Sequence, residues 1–290
     1  GAWGNVVTVN NVSVSGDMIV NMGTAASANQ ALSVAGPGGN TTIAGNLTAV
    51  TNNGAIGQTS TITVGGTTSL NTGGNSPITL NLTTNNFASV QLRTGTGTSA
   101  NATIVDTNGI DLGASTIGNN LSISASGNIT TSGTVAVTGN ATLAATGGNV
   151  TFANGSSVAG TTGIAASSTS GNVSISTVGN LTPDAISAPG RIQAITTGVL
   201  TINNTISSTG AWVEASGASI NSTSTGAITT TVGNSFLTAT SGSLVVPAMT
   251  VGLTADLSSP TGITQATGLV ITGGNVTATF TRPSGKMSKV

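Results

Sequence analysis

The chain of 290 residues contains no histidine, cysteine or tyrosine, and it has very little charge or aromatic character. Charged residues make up 4% and aromatic residues 2%, with five basic against six acidic side chains. Each shortage excludes something. Without His or Cys, a nucleophilic triad in its usual form cannot be built, nor can a disulfide framework. Five basic residues are too few to track a phosphate backbone, so nucleic acid is not an expected partner. No apolar run reaches 18 residues, so no transmembrane segment is expected. Disorder needs low hydrophobicity and usually high net charge, but 37% of this chain is hydrophobic and its net charge is −1.

What is present favours extended chain. Val, Ile and Thr are stiff at χ1 and pack well on a pleated surface. Straight-chain helix formers such as Lys, Glu, Gln and Met are scarce, which weighs against helix. One short pattern recurs: Gly-Asn, an apolar residue, then Thr or Ser. It stands at Gly45-Asn46-Leu47-Thr48, Gly127-Asn128-Ile129-Thr130, Gly148-Asn149-Val150-Thr151, Gly171-Asn172-Val173-Ser174, Gly179-Asn180-Leu181-Thr182 and Gly274-Asn275-Val276-Thr277. Looser copies begin at Gly118 and Gly139. Gly118 to Gly139 and Gly127 to Gly148 are both 21 residues, Gly148 to Gly171 is 23, and Gly171 to Gly190 is 19.

Two interleaved turn signals per period of about 20 residues are the mark of a solenoid. Each half-period reads as a short strand and a turn. Leu121-Ser122-Ile123-Ser124-Ala125, Val135-Ala136-Val137-Thr138 and Val173-Ser174-Ile175-Ser176 alternate larger apolar residues with small or polar ones, which puts one set on each side of a strand. Leu121, Ile123, Ile129, Val135, Val137, Leu143, Val150, Val173 and Ile175 are expected to face inward. Gly-Asn or Asn-Gly is expected to supply positive φ at the corners. Outward Thr, Ser and Asn are expected to ladder between coils, and the narrow lumen to leave little room for aromatics. About 14 coils spaced by about 4.8 Å would make a rod of about 65 Å. Regularity falls near residues 50–115 and 180–270. Pro77, Pro183, Pro189, Pro247, Pro260 and Pro283 are expected at corners or loops. Residues 1–280 read as one continuous solenoid and 281–290 as a basic tail.

The Gly-Asn-Leu/Ile/Val-Thr starts, the strand 121–125 and the period near 20 resemble the central repeats of filamentous-haemagglutinin-type adhesins and related autotransporter passenger domains. The resemblance covers most of residues 40–280. It implies an all-β, right-handed parallel β-helix that is secreted or displayed at the cell surface. The family's secretion domain carries Asn-Pro motifs, whereas this sequence has no Asn-Pro dipeptide. The expected identity is therefore a fragment of a longer adhesin or a compact subunit that assembles with its own copies.

Candidate sites are few. The acidic residues are Asp17, Asp106, Asp111, Asp184, Glu214 and Asp256. Asp106 and Asp111 could converge across a turn as a glycosidase pair, though an Asx turn at Asp106 explains that spacing as simply. No Gly-Gly pair is followed by the Asp of a calcium β-roll, and no Gly-Lys-Ser/Thr completes a phosphate loop. Catalytic, cofactor and metal sites are accordingly not expected. Thr-x-Thr pairs such as Thr61-Ile62-Thr63 are too irregular for an ice-binding array. The aromatic residues are Trp3, Phe87, Phe152, Trp212, Phe236 and Phe280, and the terminal ones suit end capping or a contact between subunits.

The expected function is structural: an adhesin or filament-forming subunit, with a carbohydrate-active enzyme or an ice- or glycan-binding module as alternatives. Expected partners are copies of the chain itself and host or surface glycans or proteins. The residues expected to carry self-association are Trp3, Val6, Val7, Val9, Phe280, Arg282, Lys286 and Lys289. The first coil is apolar and uncharged, and terminal coils expose unpaired backbone groups.

Overall fold

A computed structural model describes residues 6–22, 30–153, 155–161, 163–265 and 271–280, with the backbone alone at 271 and 280. Short strands follow one another along the chain, and among the described residues there is no helix. Every strand pairing is parallel and joins a strand to its counterpart in the next coil. The coil length varies: Ala102 lies against Leu121 and Leu121 against Ala141, whereas Val6 lies against Ala31. The result is a β-solenoid of about 12 turns with roughly 21 residues per turn. Fewer turns than 14 arise because the early coils are long.

Each central coil has three faces, one more than the two turn signals suggested. The first face is a sheet of 13 strands running from Val6–Thr8 to Ile271–Thr272. The second runs through Ile129–Thr131, Val150–Phe152, Val173–Thr177, Ile192–Thr196, Val213–Gly217, Ser235–Ala239, Thr254–Ser259 and Asn275–Phe280. The third holds Ser115–Gly118, Val135–Val137 and Ser157–Val158. It resumes at Val199–Ile202, Ser219–Ser222, Leu244–Val246 and Ile263–Gln265, with Leu181 bridging to Leu200 just before. The irregular stretch near 50–115 has a structural cause. The strands Ile62–Asn71 and Asn86–Thr96 run round a corner and belong to the second and third faces together.

The apolar column lies where the alternation placed it. All nine residues expected to face inward are buried, none more than 2% exposed. Fully burying one such side chain contributes about 1.5–3 kcal/mol. The lumen is roomier than expected, because Phe87 and Phe152 are both fully buried inside it. Phe152 lies in the second face, with Ile175 on the rung above it.

Polar side chains also turn inward, at the corners. Ser168 Oγ accepts from Gly171 N–H at 2.7 Å and donates to Gly148 O at 2.6 Å in the previous coil. Ser208 does the same with Ala211 N–H and Gly190 O at 3.1 and 2.7 Å, and Ser259 with Gly262 N–H and Gly242 O at 3.1 and 2.8 Å. A short hydroxyl satisfies backbone groups that a turning chain would otherwise bury unpaired.

Proline is placed as expected with one exception. Pro183 opens the strand Pro183–Ala188 and is buried there. The ladder is irregular just past it, between Ile164 and Ala166 of the neighbouring strand, and a first strand residue tolerates the missing N–H. Pro283 lies outside the described residues.

Candidate functional site

The Gly-Asn motif works by stacking, and this sets up the one place where the surface changes character. Along the corner leading into the second face, Asn149 N–H donates to Asn128 Oδ1 at 2.8 Å, Asn172 N–H to Asn149 Oδ1 at 2.7 Å, and Arg191 N–H to Asn172 Oδ1 at 2.7 Å. A second ladder, into the first face, runs from Asn101 through Asn120 to Asn140, with bonds of 3.1, 2.9 and 3.1 Å onto the N–H groups of Asn120, Asn140 and Gly163. Asp17 begins a third by accepting from Asn46 N–H at 2.7 Å, and Asn46 Oδ1 then accepts from Thr67 N–H at 2.8 Å.

The glycine of the motif is small because that asparagine lies beneath it. A Cβ at Gly148 would meet Asn128 Oδ1 at 2.5 Å, and one at Gly171 would meet Asn149 Oδ1 at 2.6 Å. Neither glycine has positive φ; of the motif glycines only Gly179 and Gly274 do. Positive φ is therefore not the general reason for Gly-Asn.

The ladder position is held in two successive coils by other residues. Register pairing places Arg191 above Asn172 and Trp212 above Arg191, after which Asn234 restores the pattern by accepting from Thr254 N–H at 3.1 Å. The outward column beside it changes over the same rungs. Asp111, Thr130, Thr151 and Ser174 give way to Gln193, Glu214, Phe236 and Asp256, one per coil.

These side chains touch. The Arg191 guanidinium carbon lies over the Trp212 ring, 5.1 Å from its centroid, and Trp212 meets Phe236 edge to face with centroids 5.8 Å apart. Arg191 Nη2 donates to Gln193 Oε1 at 2.8 Å, and Gln193 Nε2 donates to Glu214 Oε2 at 2.7 Å. Trp212, Glu214, Phe236 and Asp256 are half-buried and Arg191 is exposed. Val232 and Leu253, each more than half exposed, stand on the corner that enters the same rungs. A chain with so few charged and aromatic residues has collected three of the first and two of the second on four rungs. Sequence reasoning missed this cluster, although laying Arg191/Trp212 and Glu214/Phe236 out at the coil period would have aligned them.

The other candidates lie elsewhere. Asp106 ends the strand Ala102–Asp106 and points inward, only 2% exposed, where it accepts from Phe87 N–H at 2.9 Å and Asn108 N–H at 3.4 Å. Burial raises its pKa above the ordinary carboxylate value, outweighing backbone hydrogen bonds from Phe87, Asn108 and Thr107 that lower it. Asp111 points outward and accepts from Thr130 Oγ1 at 3.0 Å, Ser89 Oγ at 3.4 Å and Ser132 Oγ. One carboxyl group thus faces the interior and the other the surface, so these two do not converge. Among the described residues no three His, Cys, Asp or Glu side chains gather as a metal site requires. No helix among them is long and apolar enough to cross a membrane.

Of the residues expected to carry self-association, Val6 and Val7 are 58% and 42% exposed, on a strand that pairs on one side only among the described residues. Val9 is half-buried against the core, and its N–H donates to Ser33 O at 2.9 Å. Phe280 pairs through its backbone with Ser259 at the opposite end of the column. Trp3, Arg282, Lys286 and Lys289 lie outside the described residues.

Residues 38–93 and 99–165 match a family described as repeats of unknown function (DUF5649). Both segments fall within the stacked coils, one across the long corner strands and the other across the Asn ladders. No curated protein and no solved structure matches the chain. Fold and repeat match together describe a β-helix repeat protein.

Proposed function

We propose that this repeat solenoid is a structural, secreted or surface-displayed protein of the filamentous-haemagglutinin type, working as an adhesin or as a filament-forming subunit and holding no catalytic centre. The observation that carries the reading is the continuous parallel stack of coils, reinforced over several stretches by Asn ladders. It makes a stiff rod, and its outer surface is almost uncharged and repetitive. Such a body holds surface groups at fixed spacing over a length that a globular domain of this size would not reach. The 13 rungs of the first face span about 58 Å at about 4.8 Å per step.

Self-association belongs to the same proposal. The strand Val6–Thr8, which pairs on one side only among the described residues, offers backbone groups to another coil, and a head-to-tail contact between copies propagates unless its rotation closes a ring. Electron microscopy of the purified chain tests the reading together with light scattering over a concentration series, with and without residues 276–290. Rods that lengthen with concentration and shorten on truncation support assembly. Single rods of constant length at every concentration remove it and leave a displayed shaft. Immunolabelling of intact source cells tests display, and label confined to permeabilised cells contradicts it.

A further inference from the structure

We infer that the second-face rungs carrying Arg191, Gln193, Trp212, Glu214, Phe236 and Asp256 form a binding platform for a neutral oligosaccharide. Three observations lead there. The platform replaces an Asn ladder that the fold uses on both sides of it, at Asn172 and again at Asn234. The replacing residues do not repair the ladder, so the coil's own packing does not account for them.

The chemistry is mixed in a particular way. Phe236 stands between Glu214 and Asp256 in one outward column, one rung from each. A pyranose has an apolar C–H face and a rim of hydroxyls. An aromatic ring flanked by carboxylate acceptors at about 4.8 Å per rung meets both features, with the guanidinium and amide of Arg191 and Gln193 adding donors. Glu214 is oriented by Gln193 through one oxygen, Oε2.

The third observation is size and occupancy. Four rungs span about 14 Å, which suits a few sugar units and is small for a stable protein partner. A cationic ligand would seek the indole first, but Arg191 already lies over it. An anionic glycan would meet two carboxylates and one guanidinium.

The biological role of the platform rests on the surface-display reading. The binding itself does not, so the experiment uses purified protein. Trp3 and Trp212 are the only tryptophans, and Trp3→Phe leaves Trp212 as the sole indole reporter. That variant is titrated with the hexasaccharides of β-linked glucose, N-acetylglucosamine, mannose and galacturonic acid, and with hexalysine. The expected result is a saturable change in indole emission with at least one neutral hexasaccharide. Its Kd should weaken at least tenfold on adding Phe236→Ala and on adding Asp256→Asn, with the unfolding midpoint of the Asp256→Asn protein unchanged, while Asn149→Ala leaves it as it was. No saturable change with any neutral sugar would overturn the inference, as would a change indifferent to Asp256→Asn, or saturation by hexalysine or the galacturonate alone.

Discussion

Two stretches of the second face share one backbone register and differ in what they carry. Over the rungs of Asn128, Asn149 and Asn172, each side-chain oxygen holds the next coil's N–H, and a glycine of that next coil, Gly148, Gly171 or Gly190, leaves room for it. Over the rungs of Arg191 and Trp212 the backbone keeps its register, while the side chains meet side chains of the next coil instead of its backbone N–H groups. The parallel ladder and the apolar column therefore suffice to hold a coil, and the asparagines add to them. A position that the fold can release is free to be spent on recognition, as the places where local rules fail often are.

The largest effect should come from the part both stretches share. Ile123→Asp puts an unpaired charge in the column and should cost about 3–5 kcal/mol or abolish folding, read by denaturant unfolding. The same change on the outer face, at Thr151, should cost under about 0.5 kcal/mol.

Next come the motif glycines. Gly148→Ala drives a methyl group against Asn128 Oδ1 and the backbone of Gly127, both within 2.6 Å, and should cost about 1–3 kcal/mol. Gly262→Ala meets nothing within 4 Å and should be close to neutral. Equal losses would mean that backbone freedom, and not the asparagine beneath, is what the motif needs.

A smaller effect separates ladder from platform directly. Asn149→Ala removes the acceptor for Asn172 N–H and should cost about 1 kcal/mol. Arg191→Asn rebuilds the motif across the gap and should leave stability unchanged within about 0.5 kcal/mol, or raise it. Chemical denaturation of both variants measures this pair. A large loss from Arg191→Asn would make the cluster a structural device.

The smallest is a pH effect at Asp106. Between the ordinary carboxylate value and its own raised one, the folded chain holds a proton that the unfolded chain has released. Stability should therefore fall as pH rises across that interval and level off above it. Asp106→Asn should flatten that slope and raise the midpoint near neutral pH, seen in thermal melts at several pH values.

Much of the architecture was legible because the interior follows alternation. Leu121, Ile123, Val150 and Ile175 sit where period two puts them. The third face was not legible as a face of its own, since Val135–Val137 reads as one more alternating strand of a two-strand coil and Ser157–Val158 is too short to show a pattern. The glycine of Gly-Asn was assigned to the wrong cause because its constraint comes from the coil below, 21 residues earlier at Gly148. The inward corner residues Ser168 and Ser208, and the inward turn of Asp106, were not legible for a related reason: each has a backbone partner in another coil. The platform was hidden because Arg191, Trp212, Phe236 and Asp256 look scattered until the coils are stacked.

The register of that stacking underlies both the ladder and the platform, and the absence of native cysteine makes it directly measurable. Thr151 and Ser174 are outward partners on adjacent rungs of the second face, with Gln193 one rung beyond. Cα atoms about 4.8 Å apart fall within disulfide reach, and those two rungs apart, at about 9.6 Å, do not. Under mild oxidation, Thr151→Cys with Ser174→Cys should close an intramolecular disulfide without loss of the folded state, while Thr151→Cys with Gln193→Cys should stay reduced. Failure of the first pair to bridge, or equal bridging by both, would contradict the account.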